Sequence, residues 1–93
     1  MKQRSVFAQV GFSEAEASVL EMKSALLDQI LAIVKRERYS QKQLMEILAV
    51  PQPRVSELLH GKLSTMSMEK LVTYLERLGC KATWKFNYGK VAG

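Results

Sequence analysis

The apolar positions fall into four runs that repeat every three to four residues and one run that repeats every second residue. The first run opens on Phe12-Ser13-Glu14-Ala15-Glu16-Ala17. Ser13 can cap the free amides of a helix, Glu16 stands three residues later to complete a capping box, and Phe12 can staple onto Ala17. Leu20, Leu26, Leu27, Ile30, Leu31 and Val34 then recur at helical spacing, so one face of this helix is expected to be buried. Lys35-Arg36-Glu37-Arg38 closes it with positive charge where the helix dipole favours cations. A second start follows at Ser40, with Gln43 in the reciprocal capping position and Leu44, Ile47 and Leu48 turned inward. That pattern stops at Ala49-Val50, because Pro51 cannot continue a helix, while Pro53 suits the first turn of a new one. The third helix turns Val55, Leu58 and Leu59 inward and ends at Gly61, which takes a left-handed cap readily. Ser67 caps a fourth helix over residues 68–78, with Leu71, Leu75 and Leu78 on one stripe and Gly79 as its stop.

The period changes after Gly79. Ala82, Trp84, Phe86 and Tyr88 alternate with Lys81, Thr83, Lys85 and Asn87, which predicts a short strand with one apolar face. A lone strand leaves its edge open. It is therefore expected to pair with the same strand of a second subunit or with a strand of a partner protein, with Ala82, Trp84 and Phe86 as the dimerisation residues. Trp84 has two readings, one in the dimer seam and one covering the core of its own subunit beside Leu75 and Leu78.

Composition narrows the class. The 93 residues are expected to form one domain over 1–93, with an N-terminal arm at 1–12, a helical core at 13–79 and a strand and tail at 80–93. Hydrophobic residues make up 47% and charged residues 25%, values ordinary for a folded chain and not for a disordered one. The longest apolar stretch, residues 26–34, is broken by Asp28 and Gln29, so no membrane span is expected. The segment Met1-Lys2-Gln3-Arg4-Ser5 lacks the apolar core of a signal peptide, which predicts a cytoplasmic protein. Cys80 and His60 are the only residues of their types and cannot supply a metal cage, so no metal is expected and Cys80 reads as a buried, inert thiol. Neither paired carboxylates, a nucleophile with a base, nor a phosphate-cradling glycine loop is evident, so an enzyme is not expected and no cofactor is implied. Ser56 and His60 form a helical i,i+4 pair with no third group to orient the imidazole. No sensor domain follows Gly79, so a small-molecule effector is not expected either.

The net charge of +5 suits a polyanionic partner but singles none out. More informative are the two short helices at 40–48 and about 52–60, joined by a tight turn. A helix that lies in the major groove presents its N-terminal side chains to base edges while a neighbouring helix braces it on the backbone. On the second helix Gln52, Pro53, Ser56, Glu57 and His60 fall on a face separate from the buried one, with Arg54 at its edge. Gln52 can donate to and accept from adenine, Arg54 can fork onto guanine, and Glu57 can accept from a cytosine amino group. Ser40, Gln41, Lys42, His60 and Lys62 are placed for phosphates. Against this, residues 41–62 hold only three cations, Lys42, Arg54 and Lys62, against Glu46 and Glu57. That is no basic patch, and a protein-interaction module that keeps the two helices as a scaffold is also compatible.

The stretch Ser40-Gln-Lys-Gln-Leu44, then Ala49-Val-Pro-Gln-Pro-Arg-Val-Ser-Glu-Leu-Leu-His-Gly-Lys62, resembles the Xre/Cro-type helix-turn-helix family. It departs from that pattern at Ala49, where Gly is usual in the turn, at Pro51, where Ser or Thr commonly caps the recognition helix, and at Met45, where Ala is usual. Val6-Phe7-Ala8, Gly11-Phe12, Ala15-Glu16, Lys23, Arg54–Lys62, Ser67, Leu71 and Leu78-Gly79 extend the likeness over about residues 6–86, to a subgroup commonly made up of HigA-like antitoxins. The resemblance implies an all-α, four- to five-helix, lambda-repressor-like domain with a short C-terminal β-strand used for dimerisation. It further implies a homodimer that represses its own promoter and neutralises a RelE-like toxin. A free-standing prophage or plasmid regulator would use the same DNA face. In either case two recognition helices about 34 Å apart would read a palindromic operator in successive major grooves of double-stranded DNA.

Overall fold

The computed structural model describes residues 13–87. The arm at 1–12, the staple of Phe12 on Ala17, and Tyr88 therefore lie outside the described residues. Four helices follow one another: α1 (Glu14–Glu37), α2 (Gln41–Leu48), α3 (Gln52–Leu59) and α4 (Met68–Arg77). A single 3-10 turn, Leu63–Thr65, links α3 to α4.

The helix starts are those the caps predict. The Ser13 hydroxyl accepts from the Glu16 amide at 3.0 Å while Glu16 Oε1 accepts from the Ser13 amide at 3.0 Å. The box at Ser40 and Gln43 is built the same way, with distances of 3.1 and 2.8 Å. Ser67 caps α4 through the Lys70 amide, 3.0 Å from its hydroxyl. Each box satisfies amides that the first turn leaves without an intrahelical partner.

All four helices end through a residue in the left-handed region: Arg38, Ala49, Gly61 and Gly79. At α3 the Gly61 amide donates to Leu58 O at 3.0 Å and the Lys62 amide to Glu57 O at 3.2 Å. At α4 the corresponding donors are Gly79, to Glu76 O at 2.9 Å, and Cys80, to Leu75 O at 3.0 Å. Both pairs make the Schellman closure, which satisfies the last carbonyls and turns the chain sharply.

α1 packs along α4, α2 packs against α3, and α4 also meets α2, so one core forms between the two helix pairs. Ile30, Leu44, Val55, Leu58 and Leu71 are fully buried at its centre, with Leu26, Leu27, Ile33, Leu48, Met66, Tyr74 and Leu75 around them. The buried stripe of α1 is rotated from the expected one. Ile33 is buried, whereas Leu20, Leu31 and Val34 are only half-buried. The stripe follows Leu26, Ile30 and Ile33, on the helix that packs along α4 and the 3-10 turn, and Val34 falls one position beyond it. On α4, Tyr74 joins the buried face, and Leu78, expected there, lies past the helix end and is half-buried.

The expected C-terminal strand is absent. Residues 81–87 carry no regular secondary structure, and the described residues include no strand at all. A strand is held by a neighbouring ladder, and the described residues offer none here. Ala82 and Cys80 are half-buried and packed on the core edge, so Cys80 is not the fully buried thiol that was expected. Trp84 borders a groove lined by Ala25, Leu26, Gln29 and Leu75, yet 43% of it stays exposed, and Phe86 is 89% exposed. Among the described residues no helix is long and apolar enough to cross a membrane.

Candidate nucleic-acid interface

α3 is a short helix with one side sunk in the core. Val55 and Leu58 are fully buried and Leu59 packs half-buried beside them, so the polar residues of the helix face outward. Gln52, Pro53, Arg54 and His60 are exposed, and Ser56 and Glu57 are half-exposed. The helix begins without a side-chain cap. Instead the Pro51 carbonyl accepts from the Arg54 amide at 3.0 Å and from the Val55 amide at 3.3 Å. Pro53 has no amide, so its place in the first turn leaves one fewer donor unsatisfied.

α2 braces α3 at both of its ends. At the start, Gln52 Nε2 donates to Gln41 Oε1 at 3.0 Å, tying the first residues of the two helices together. The Gln52 amide keeps its carbonyl and its second N–H, the donor–acceptor pair that the adenine edge requires. At the far end, Ala49 adopts φ 57° and ψ 48°, and the Met45 carbonyl accepts from the Val50 amide at 3.2 Å. The turn thus has the left-handed residue that glycine usually supplies, with alanine in its place. Arg77 Nη1 donates to Leu48 O at 3.3 Å and fastens α4 to the end of α2.

Of the residues read for phosphates, Ser40, Gln41 and Lys42 stand exposed at the start of α2, and His60 and Lys62 stand exposed just past α3. Ser40 accepts the capping bond through its oxygen, which leaves its hydroxyl hydrogen to donate outward. His60 Nδ1 lies 2.7 Å from Ser56 O and 3.4 Å from Ser56 Oγ. The backbone carbonyl can only accept, so Nδ1 carries the hydrogen and Nε2 faces outward as an acceptor while the ring is neutral.

Arg54 and Glu57 do not stand apart as two independent readers of bases. Arg54 Nη1 lies 3.3 Å from Glu57 Oε1, in an i,i+3 ion pair whose side chains are 45% and 31% exposed. The charges of the pair also act on Tyr74 of α4. Burial raises the Tyr74 phenol above its ordinary pKa, the charges of Arg54 and Arg77 lower it, and Glu57 raises it. Sequence reading missed this pair and the Gln41–Gln52 bond. The first had a signal in the opposite charges three residues apart, and the second had none, since its partners are eleven residues apart on different helices.

Two short helices joined by a left-handed turn, one capped and bracing and the other presenting a polar N-terminal face, define a helix-turn-helix. The comparisons agree. Residues 6–86 match the family described as "Helix-turn-helix domain". A solved structure described as a candidate XRE family transcriptional regulator superposes with a TM-score of 0.75 at 28% identity, over 84% of this chain and 88% of that one. No curated protein matches. The chain belongs to the helix-turn-helix domain family, and its all-helical fold is XRE-like.

Proposed function

We propose that this protein is a sequence-specific, DNA-binding transcriptional repressor that reads DNA with α3. The observation that carries the reading is the outward face of α3, where Gln52 is pinned by Gln41 and Arg54 lies at the same N-terminal end. In this reading Gln52, Pro53, Arg54, Ser56 and Glu57 meet base edges. Ser40, Gln41, Lys42, Lys62 and, as the imidazolium whose Nε2 can donate, His60 meet phosphates, which fix register without reading sequence. Substituting each kind of contact tests the division. Arg54→Ala should cost about 1–3 kcal/mol on the operator and relax selectivity at one base pair. Lys62→Ala should weaken every sequence alike and reduce the salt slope by about one unit. Equal losses on operator and random DNA for both variants would contradict it.

A second copy of the chain is the proposed occupant of the face that carries Ala82, Trp84 and Phe86. Val19, Trp84 and Phe86 are the exposed large hydrophobic residues of the described part, and Phe86 borders an apolar groove with Met22, Met68 and Val72. A two-fold dimer through that face would present two α3 helices to a palindromic operator.

The narrower proposal is that the protein is the antitoxin of a pair, neutralising a RelE-like toxin and repressing their shared promoter from the cytoplasm. It rests on the resemblance over residues 6–86. Co-expression with the product of the adjacent gene should give a stable complex, and two proteins that never co-purify would favour a free-standing prophage or plasmid regulator instead.

A further inference from the structure

The groove-facing stretch of α3 is electrically balanced, with Arg54 as its cation and Glu57 as its anion. An acid on a surface that approaches DNA is repelled by the phosphates, so its presence calls for a physical account. Stability does not provide one. A half-exposed i,i+3 ion pair contributes little to folding, and neither side chain here belongs to the core. What the pair changes is the state of the guanidinium. In the free protein Arg54 already has a carboxylate partner 3.3 Å away. A single phosphate offers one charge in exchange for the one it would displace. Guanine offers a two-acceptor edge that a guanidinium meets as a fork, and it leaves Glu57 within reach of the same group.

We propose that Glu57 is a specificity-determining residue that acts through Arg54, holding the guanidinium in an ion pair that guanine can join without breaking and that an isolated phosphate would have to displace. The inference rests on the reading of α3 as the helix that contacts bases. Its effect is a penalty on wrong sequences, in the way that specificity is raised by penalising competitors as well as by favouring the correct partner. With the pair intact, Arg54 adds little to non-specific affinity, which depends on the neutralisation of phosphates. The flanking cations Lys42 and Lys62, both exposed, then supply the sequence-independent attraction.

The test is Glu57→Gln, which keeps the side-chain size and helix preference but removes the charge. Binding to DNA from upstream of the protein's own gene and to scrambled DNA is followed by fluorescence anisotropy across a salt series, with Arg54→Ala and the double variant measured in parallel. E57Q should bind scrambled DNA about 3- to 10-fold tighter, with a salt slope steeper by about 0.9, as one newly available phosphate contact would produce. Operator binding should not share this gain, because there Glu57→Gln also weakens the residue's own base contact, so selectivity falls. In the Arg54→Ala background the same substitution should lose most of this effect, because its route runs through Arg54. An E57Q protein with unchanged selectivity and slope, or one whose effect is as large without Arg54, overturns the proposal while the wild type's selectivity upholds DNA reading. A wild-type protein that does not distinguish the two DNAs overturns that reading and the proposal with it.

Discussion

Ala49→Gly should stabilise this protein, although glycine is the poorest non-proline residue for most folded positions. Ala49 ends α2 at φ 57° and ψ 48°, in the left-handed region. There its Cβ crowds the following carbonyl, at a cost of about 1–2 kcal/mol that glycine does not incur. Glycine loses more backbone freedom on folding, which offsets about 0.5–1 kcal/mol of that gain. The net expectation is a gain of about 0.5–1 kcal/mol, or roughly 2–8 °C in melting temperature for a domain of this size. Ala49 is exposed, so no packing is lost with its methyl group. Ala32 provides the control, since it is exposed inside α1, where backbone dihedrals are helical. The same substitution there should destabilise by about 0.5–1 kcal/mol. Urea titrations of both variants beside the wild type, followed by circular dichroism, read the two signs directly. Equal destabilisation by A49G and A32G would refute the left-handed turn and, with it, the geometry that sets α3 against α2.

Other consequences follow from the core, the tyrosine and the tail. Leu58 is fully buried beneath α3, so Leu58→Ala should cost about 2–5 kcal/mol, visible as a lower urea midpoint, and a loss under about 1 kcal/mol would mean that α3 is not seated as described. Burial raises the Tyr74 pKa, so the fold favours the neutral phenol. That stability is present in full below the unfolded value of about 10 and is lost as pH rises through the folded value. The urea midpoint should therefore fall more steeply above about pH 10 in the wild type than in Tyr74→Phe, and parallel curves would count against the buried hydroxyl. Trp84 is 43% exposed in the single chain. If the second copy covers it, its emission should shift to the red on dilution through the dimer dissociation range, and an emission independent of concentration would remove Trp84 from the seam.

Local chemistry was the legible part of this fold. Ser13 with Glu16, Ser40 with Gln43, Ser67, Gly61 and Gly79 announce helix ends because capping acts over three or four residues of chain. Arg38 and Ala49 take the same left-handed conformation as the two glycines, yet nothing in their side chains asks for it. Their φ is imposed by the packing of the helices they join, which periodicity does not encode. The rotation of the α1 stripe from Val34 to Ile33 has a similar origin, because the angle at which α1 lies along α4 decides which row is covered. The alternation of Ala82, Trp84 and Phe86 was read as a strand, but alternation specifies only a two-sided segment. The ladder that makes a strand must come from a neighbouring segment, and the described residues supply none. At the candidate site, the outward set from Gln52 to Glu57 was legible from the burial of Val55 and Leu58. The links that orient it, Gln41 to Gln52 and Arg54 to Glu57, depend on side-chain geometry that the sequence pattern leaves open.

The most direct test of α3 as a reader of bases is the anisotropy of the wild-type protein on DNA from upstream of its own gene against scrambled DNA, across a salt series. The expected result is operator binding roughly 10³-fold or more tighter than scrambled, with both affinities falling as salt rises, since phosphate contacts contribute to each. Equal, weak binding to both DNAs, insensitive to salt, would contradict it and leave the helix-turn-helix as a scaffold for protein contacts.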